Sequence, residues 1–269
     1  MKSRTVICHY HIYKNSGSTF DRILRGCFGD HHVAFDSPIP HFQTNQEQLV
    51  EIVSQNPSLT SLSSHQIYLP LPATMTFRPV GVVFVRHPML RIRSIQRFEQ
   101  HRGDGNIQAG TGELENWLIK KFDSSEELGL LSNGQTNQLC RPYCRAPWFE
   151  ERESRRVYDI DQAITNLNQA QCVGRTEHFD ADVARFIPIL AAYGLTFSPE
   201  QGLAENTSSE DFREPIEQQL ETMKASLSAE IWERLLHCNH QDLELYDYVT
   251  GLIDQRDALG YPTYLSKNI

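Results

Sequence analysis

Two short stretches of this sequence combine residue types that suit holding and transferring an anionic group. The first, Lys14-Asn15-Ser16-Gly17-Ser18-Thr19-Phe20, places a cation, a glycine and three hydroxyls between two apolar runs. Backbone amides at a helix start favour an anion, Gly17 lets the backbone approach it, and Lys14 adds a point charge. The same residues also suit a plain strand-to-helix connection in which Ser and Thr cap the helix. The second stretch carries Arg86, Arg91, Arg93, Arg97 and Arg102, five positive charges within 17 residues, opposed only by Glu99. Arg86 closes a strongly apolar run and Ser94 follows two helical turns into the next segment, so a phosphate lodged between strand end and helix meets both. Eleven histidines supply groups able to accept a proton near neutral pH, and spacing alone selects none of them. Cys140 and Cys144 stand one helical turn apart, but no second Cys or His pair follows at zinc-finger spacing.

The elements that must position these residues read as an α/β fold. Thr5 to Ile12 is β-branched and aromatic, the composition of a buried strand, and Phe20, Ile23, Leu24 and Cys27 then repeat like one helix face. Val33 to Phe35 suits a short strand, Gln46 to Ser54 a helix ended by Asn56-Pro57, and Leu59 to His65 a further strand. Val80 to Arg86 is the clearest strand, continuously apolar as parallel strands buried on both faces are. Pro88 suits the first position of the helix that follows. Gly103 to Gly112 reads as a loop. Beyond it the chain turns mostly helical, with helices predicted at Glu113 to Phe122, Asp161 to Gln171, Asp180 to Tyr193, Asp211 to Met223, Ala229 to Cys238 and His240 to Ile253, and one strand near Gln171 to Gly174. The expectation is a single domain over 1–269: a P-loop-type parallel sheet flanked by helices, with the two anion-binding motifs in 1–102 and a mostly helical elaboration in 103–269. Both anion motifs then sit at the carboxyl ends of strands, where open α/β sheets bind ligands.

Composition narrows the partners. A net charge of −9 over 269 residues opposes sequence-independent nucleic-acid binding, so an anion must find a local basic pocket. Arg93, Arg97, Arg102, Arg141 and Arg145 are candidates to line one. No run approaches the ~20 apolar residues of a membrane span, and MKSRTVICHYHIYKN lacks the apolar stretch of a signal peptide, so the chain reads as cytoplasmic. Six cysteines without a CxxC pair suit reduced thiols.

At these residues the chain resembles a family. IYKNSGSTF is similar to the 5′-phosphosulfate loop of sulfotransferases, written H-x-P-K-T-G-G-T-T-F in the glycan-modifying branch, and VFVRHPMLRIRSIQRF resembles their 3′-phosphate motif, R-[DE]-P-x-x-R-x-x-S. SSHQIYLP, NGQTNQL, CVGRTEHFDADVARF and LHCNHQDLELYDYV resemble further segments of that branch, so the likeness runs from about residue 5 to residue 250. Tyr13 stands where the family has Pro, Asn15 where it has Thr, and His87 where an acid follows the Arg. The resemblance implies a donor, 3′-phosphoadenosine 5′-phosphosulfate (PAPS), and no metal. Lys14, Asn15, Ser16, Gly17, Ser18 and Thr19 would hold its 5′-phosphosulfate, with Lys14 also catalytic, and Arg86 and Ser94 its 3′-phosphate. His65, in the position of the family's catalytic histidine, would be the general base; His32 and His41 lie near the same cleft. His11 and Glu177 would be structural, and Asn133 and Gln135 would face the site. The acceptor would be a hydroxyl of a sugar or glycolipid.

Two rival classes remain at this level. A P-loop kinase needs G-x-x-x-x-G-K-[ST], whereas Lys14 precedes its glycine. A non-catalytic nucleotide-binding module would keep both anion motifs and have no need of His65.

Overall fold

The computed structural model describes residues 4–39, 43–102, 113–124, 128–141, 148–149, 156–199 and 214–258. Its centre is a five-stranded, wholly parallel sheet. The strands are β1 (Thr5–Tyr10), β2 (His32–Ala34), β3 (Ser61–Ser64), β4 (Arg78–Val85) and β7 (Cys172–Arg175), in the order β2-β3-β1-β4-β7. A short antiparallel pair, β5 (Trp148–Phe149) and β6 (Arg156–Val157), lies apart from it. The helices are α1 (Gly17–Phe28), α2 (Gln46–Gln55), α3 (Pro88–Arg102), α4 (Glu113–Phe122), α5 (Leu128–Leu131), α6 (Gly134–Cys140), α7 (Ile160–Leu167), α8 (Phe179–Ala192), α9 (Ile216–Ala225), α10 (Ala229–Cys238) and α11 (His240–Ala258).

Side-chain alternation along β1 explains the two apolar layers. Val6, Cys8, Tyr10 and Ile12 pack into a core with residues of α2, α7 and α11, while Ile7 packs with α1 and α8 through Phe20, Leu24 and Phe186. The sheet is thereby covered on both faces, which is why β4 reads as an unbroken apolar run. A third core joins α3, α4, α5, α9 and α10 around Met89, Ile92, Leu118 and Leu235.

The predicted strands and most helices are present, with shifted ends. The strand opening the chain stops at Tyr10, and the helix expected to reach Gln171 ends at Leu167, with Asn168 as its C-cap. Sequence reading did not assign α5 or α6 as helices; each is short, and α6 is capped from far along the chain. Gly103 to Gly112, His41, Cys144, Arg145, the side chain of Arg102 and the expected helix start at Asp211 lie outside the described residues. The Cys140 thiol is buried and donates to the Asn137 carbonyl (3.4 Å). Among the described residues, no helix is long and apolar enough to cross a membrane.

Candidate active site at the carboxyl ends of β1, β3 and β4

β1 runs into residues 11–16 and β4 into 86–87, side by side, because Tyr10 is in register with Val83. The loop 11–16 is held in an unusual shape. Lys14 (φ 66°) and Ser16 (φ 60°) are both left-handed without being glycine, a conformation costing roughly 1–2 kcal/mol per residue that persists only where surroundings enforce it. The enforcing contacts are visible. Arg91 Nε donates to the Tyr13 carbonyl (3.0 Å) and Arg86 Nη1 to the Lys14 carbonyl (3.0 Å). Two successive carbonyl dipoles that would repel an anion are thus turned onto buried guanidinium groups.

Helix α1 begins at Gly17, and its N-cap Ser16 makes no side-chain cap hydrogen bond. Three other helices are capped by a side chain, α2 through the Asn45 capping box and α7 and α10 through Asp159 and Ser228, whereas α6, α8 and α9, like α1, have no cap from their own N-cap side chain. Helix starts have amides without intrahelical partners, so the helix aimed at the loop is one whose own cap residue leaves them to other acceptors. Ser18 is exposed there, Ser16 half-buried and Thr19 buried.

Positive charge gathers around this loop. Burial lowers the proton affinity of the half-buried Lys14, and Arg86 lowers it further; its ammonium rests 4.3 Å from the centre of the Phe98 ring. Burial also lowers Arg86, offset by Glu177 and reinforced by Arg91 and Arg97. A dianion placed here would relieve repulsion among these groups. Glu177 is the counter-charge: its Oε1 lies 3.6 Å from Arg86 Nε and accepts the His87 amide (3.2 Å), and burial pushes its carboxyl up. That agrees with the structural role expected for Glu177.

Several sequence assignments take a different form in the structure. The Asn15 side chain is buried and donates to the Phe84 carbonyl (2.9 Å) and to Gln135 Oε1 (2.6 Å), while its amide closes a turn on Ile12. It anchors the loop from beneath. Gln135 and Asn133, expected to face the site, are fully buried. Gln135 accepts the Arg86 amide (2.9 Å) and donates to the Arg86 carbonyl (2.8 Å), and Asn133 Oδ1 accepts the amides of Gln241 and Asp242. They serve as struts because α6 packs against the sheet end and Asp242 of α11, also buried, caps α6 through the amides of Gln135 (3.0 Å) and Thr136 (2.8 Å). Arg86 is nine-tenths buried; its Nη1 holds the Lys14 carbonyl and its Nε lies beside Glu177, so it helps to organise the loop. Ser94 is half-buried on α3.

The histidines converge. In register, Tyr10 pairs with Ser64 and Ala34 with Ser63, so His11 and His65, one residue further on, and Asp36, two residues beyond Ala34, come side by side at the ends of three adjacent strands. The rings of His11 and His65 stack at 3.8 Å between centroids, and His9 stacks on His11 at 5.3 Å. Asp21 of α1 joins His9 (2.9 Å) and His11 (3.5 Å). Burial raises the Asp21 carboxyl, but hydrogen bonds from both histidines outweigh it and hold the group well below the usual carboxylate range. Burial lowers His11 and His65, and each of them sits beside another histidine that disfavours a second charge. His11 also covers Gly17 so closely that a Cβ there would fall 1.8 Å from His11 Nε2. His65 therefore stands at the loop, one ring away from the start of α1. His32 sits on Ser61 (2.9 Å), with burial bringing its pKa down to about 4.

Sequence reasoning did not single out Asp36 or Gln138, whose amide donates to the carbonyls of both His11 and His65 (3.3 Å each). For Arg91 a signal existed, since it is the second Arg of the R-[DE]-P-x-x-R-x-x-S pattern. For Asp36 there was none.

The model of the sulfotransferase family matches residues 1–249 of the chain. An uncharacterised protein of Archaeoglobus fulgidus is 21% identical over 258 residues, which cover 93% of this chain and 98% of that one.

Proposed function

The chain belongs to the sulfotransferase family, and from that premise we propose that it moves a sulfuryl group from PAPS to an acceptor hydroxyl, with a sugar or glycolipid as first candidate. The observation that carries the reading is the loop 13–17: two left-handed residues, two carbonyls turned onto buried arginines, and a helix start that Ser16 does not cap. Such a surface holds an anionic oxygen cluster without paying for reorganisation at the moment of reaction.

In the reaction, the acceptor oxygen bonds to sulfur in line with the bond to the bridging oxygen, which breaks and leaves its electron pair on the departing 5′-phosphate. Lys14 and the amides from Ser16 to Thr19 stabilise that growing charge. His65 takes the acceptor proton on its free ring nitrogen. Arg86, with Arg91 and Arg97 beside it, supplies the field for the 3′-phosphate, and Ser94 a hydroxyl contact.

Two measurements test this. Calorimetry should find 3′-phosphoadenosine 5′-phosphate bound at least tenfold more tightly than AMP, since one charge-assisted contact contributes roughly 1.5–3 kcal/mol; equal affinities would reject the 3′-phosphate site. Labelled donor against a panel of sugars and glycolipids should yield a labelled product. Tight nucleotide binding without transfer to any of them would favour the non-catalytic module.

A further inference from the structure

The reading of His65 as the base leaves open what decides which of its ring nitrogens is bare. On that reading, we infer that Asp36 is the positioning residue of His65, accepting the Nδ1 proton so that Nε2 is left as the proton-accepting nitrogen. His65 Nδ1 lies 2.8 Å from Asp36 Oδ2. An ionised carboxylate only accepts, so the shared proton belongs to Nδ1 and the lone pair to Nε2. The other oxygen is fixed independently: Asp36 Oδ1 accepts the His65 amide (2.9 Å) and the Ser64 hydroxyl (2.8 Å). One carboxylate thus holds both the backbone and the ring of His65.

Two further contacts complete the clamp. Gln138 of α6 donates to the His65 carbonyl, and the His11 ring backs the His65 ring at 3.8 Å. The pair is partly open to solvent, with side chains about two-fifths exposed, so it is no prop of the core. The groups that act on the charge of His65 are Asp36 after β2, His11 after β1 and Asp21 on α1, with the Tyr13 ring 6.3 Å away. His11 so close opposes an imidazolium; Asp36 and Asp21 favour it. Asp36 therefore has a second effect, keeping a charged His65 tolerable in the transition state.

Asp36→Asn separates orientation from packing. The Ser64 hydroxyl and the His65 amide are donors, so they hold the Asn oxygen at the Oδ1 position and leave the NH₂ facing Nδ1. The ring must then accept at Nδ1 and carry its proton on Nε2, the form that cannot act as base. With ¹⁵N-histidine-labelled protein at pH 8, wild-type His65 should give the Nδ1–H tautomer and the variant the Nε2–H tautomer. Affinity for 3′-phosphoadenosine 5′-phosphate should stay within twofold, while kcat for labelled transfer to the sugar accepted in the screen above falls about 10²–10⁴-fold, the usual range for a lost or mis-oriented base. Asp36→Ala should shift the histidine limb of the pH–rate profile to lower pH. An Nε2–H tautomer in the wild type overturns the inference without any variant. So does a drop in His65→Ala that Asp36→Asn does not share. Full transfer by His65→Ala overturns the base assignment instead, which keeps the two failures distinct.

Discussion

Gly17→Ala tests how tightly the loop and the histidines are built together. The added methyl would fall 1.8 Å from His11 Nε2 and 1.9 Å from Cδ2, whereas carbon rests about 3.5–4.0 Å from a non-bonded neighbour. The ring must therefore retreat by roughly 2 Å. It has little room, with His65 stacked at 3.8 Å, His9 at 5.3 Å and Asp21 on its Nδ1 side at 3.5 Å. Overpacking of this kind costs about 1–3 kcal/mol. In urea titrations Gly17→Ala should lose that much, and transfer should fall because the displaced ring presses on His65. His11→Ala removes the obstacle, so the double variant should be more stable than the sum of the two single effects by about 1 kcal/mol or more, the coupling expected of residues in contact. Additive effects, or a Gly17→Ala protein with wild-type stability, would refute the close approach of ring and loop.

Two further expectations follow from the same geometry. Lys14→Ala should lower kcat by tenfold or more while changing 3′-phosphoadenosine 5′-phosphate affinity far less, because the ammonium is needed most as the leaving oxygen becomes negative; its contact with Phe98 contributes only about 0.5–1 kcal/mol to folding. Stability should fall on acidification: His87, whose burial and neighbour Arg86 bring its pKa down to about 4, stays neutral when folded while the unfolded histidine takes a proton near 6.5. That difference contributes on the order of 3 kcal/mol, complete above pH ~6.5 and lost as pH drops to about 4. His32, also lowered by burial, adds to it in the same direction. Urea midpoints should thus decline from pH 7 to pH 4.5, less steeply in His87→Gln; a flat profile would show that neither histidine is held neutral.

By itself the sequence determined the elements and the motifs. The apolar run of β4, the β-branched β1 and the 3.6-residue repeat of α1 are local patterns, set by burial on one or two faces, and they placed Lys14 to Thr19 and Arg86 at strand ends. Most helices of the second half were legible for the same reason, and α6 was not, because its cap, Asp242, lies more than a hundred residues away. The tertiary structure alone decided which side chains meet. Asn15, Asn133 and Gln135 carry ordinary polar side chains, and only the packing of α6 and α11 against the sheet end turns them inward as struts. His11, Asp36 and His65 belong to three separate strand exits, and nothing in their spacing joins them. Parallel strands connected by helical crossovers take their register from the fit of whole layers, and a shift of one residue would send each side chain to the opposite face. The register of Tyr10 with Ser64 and of Ala34 with Ser63 is what stacks one ring on another and brings a carboxylate to Nδ1.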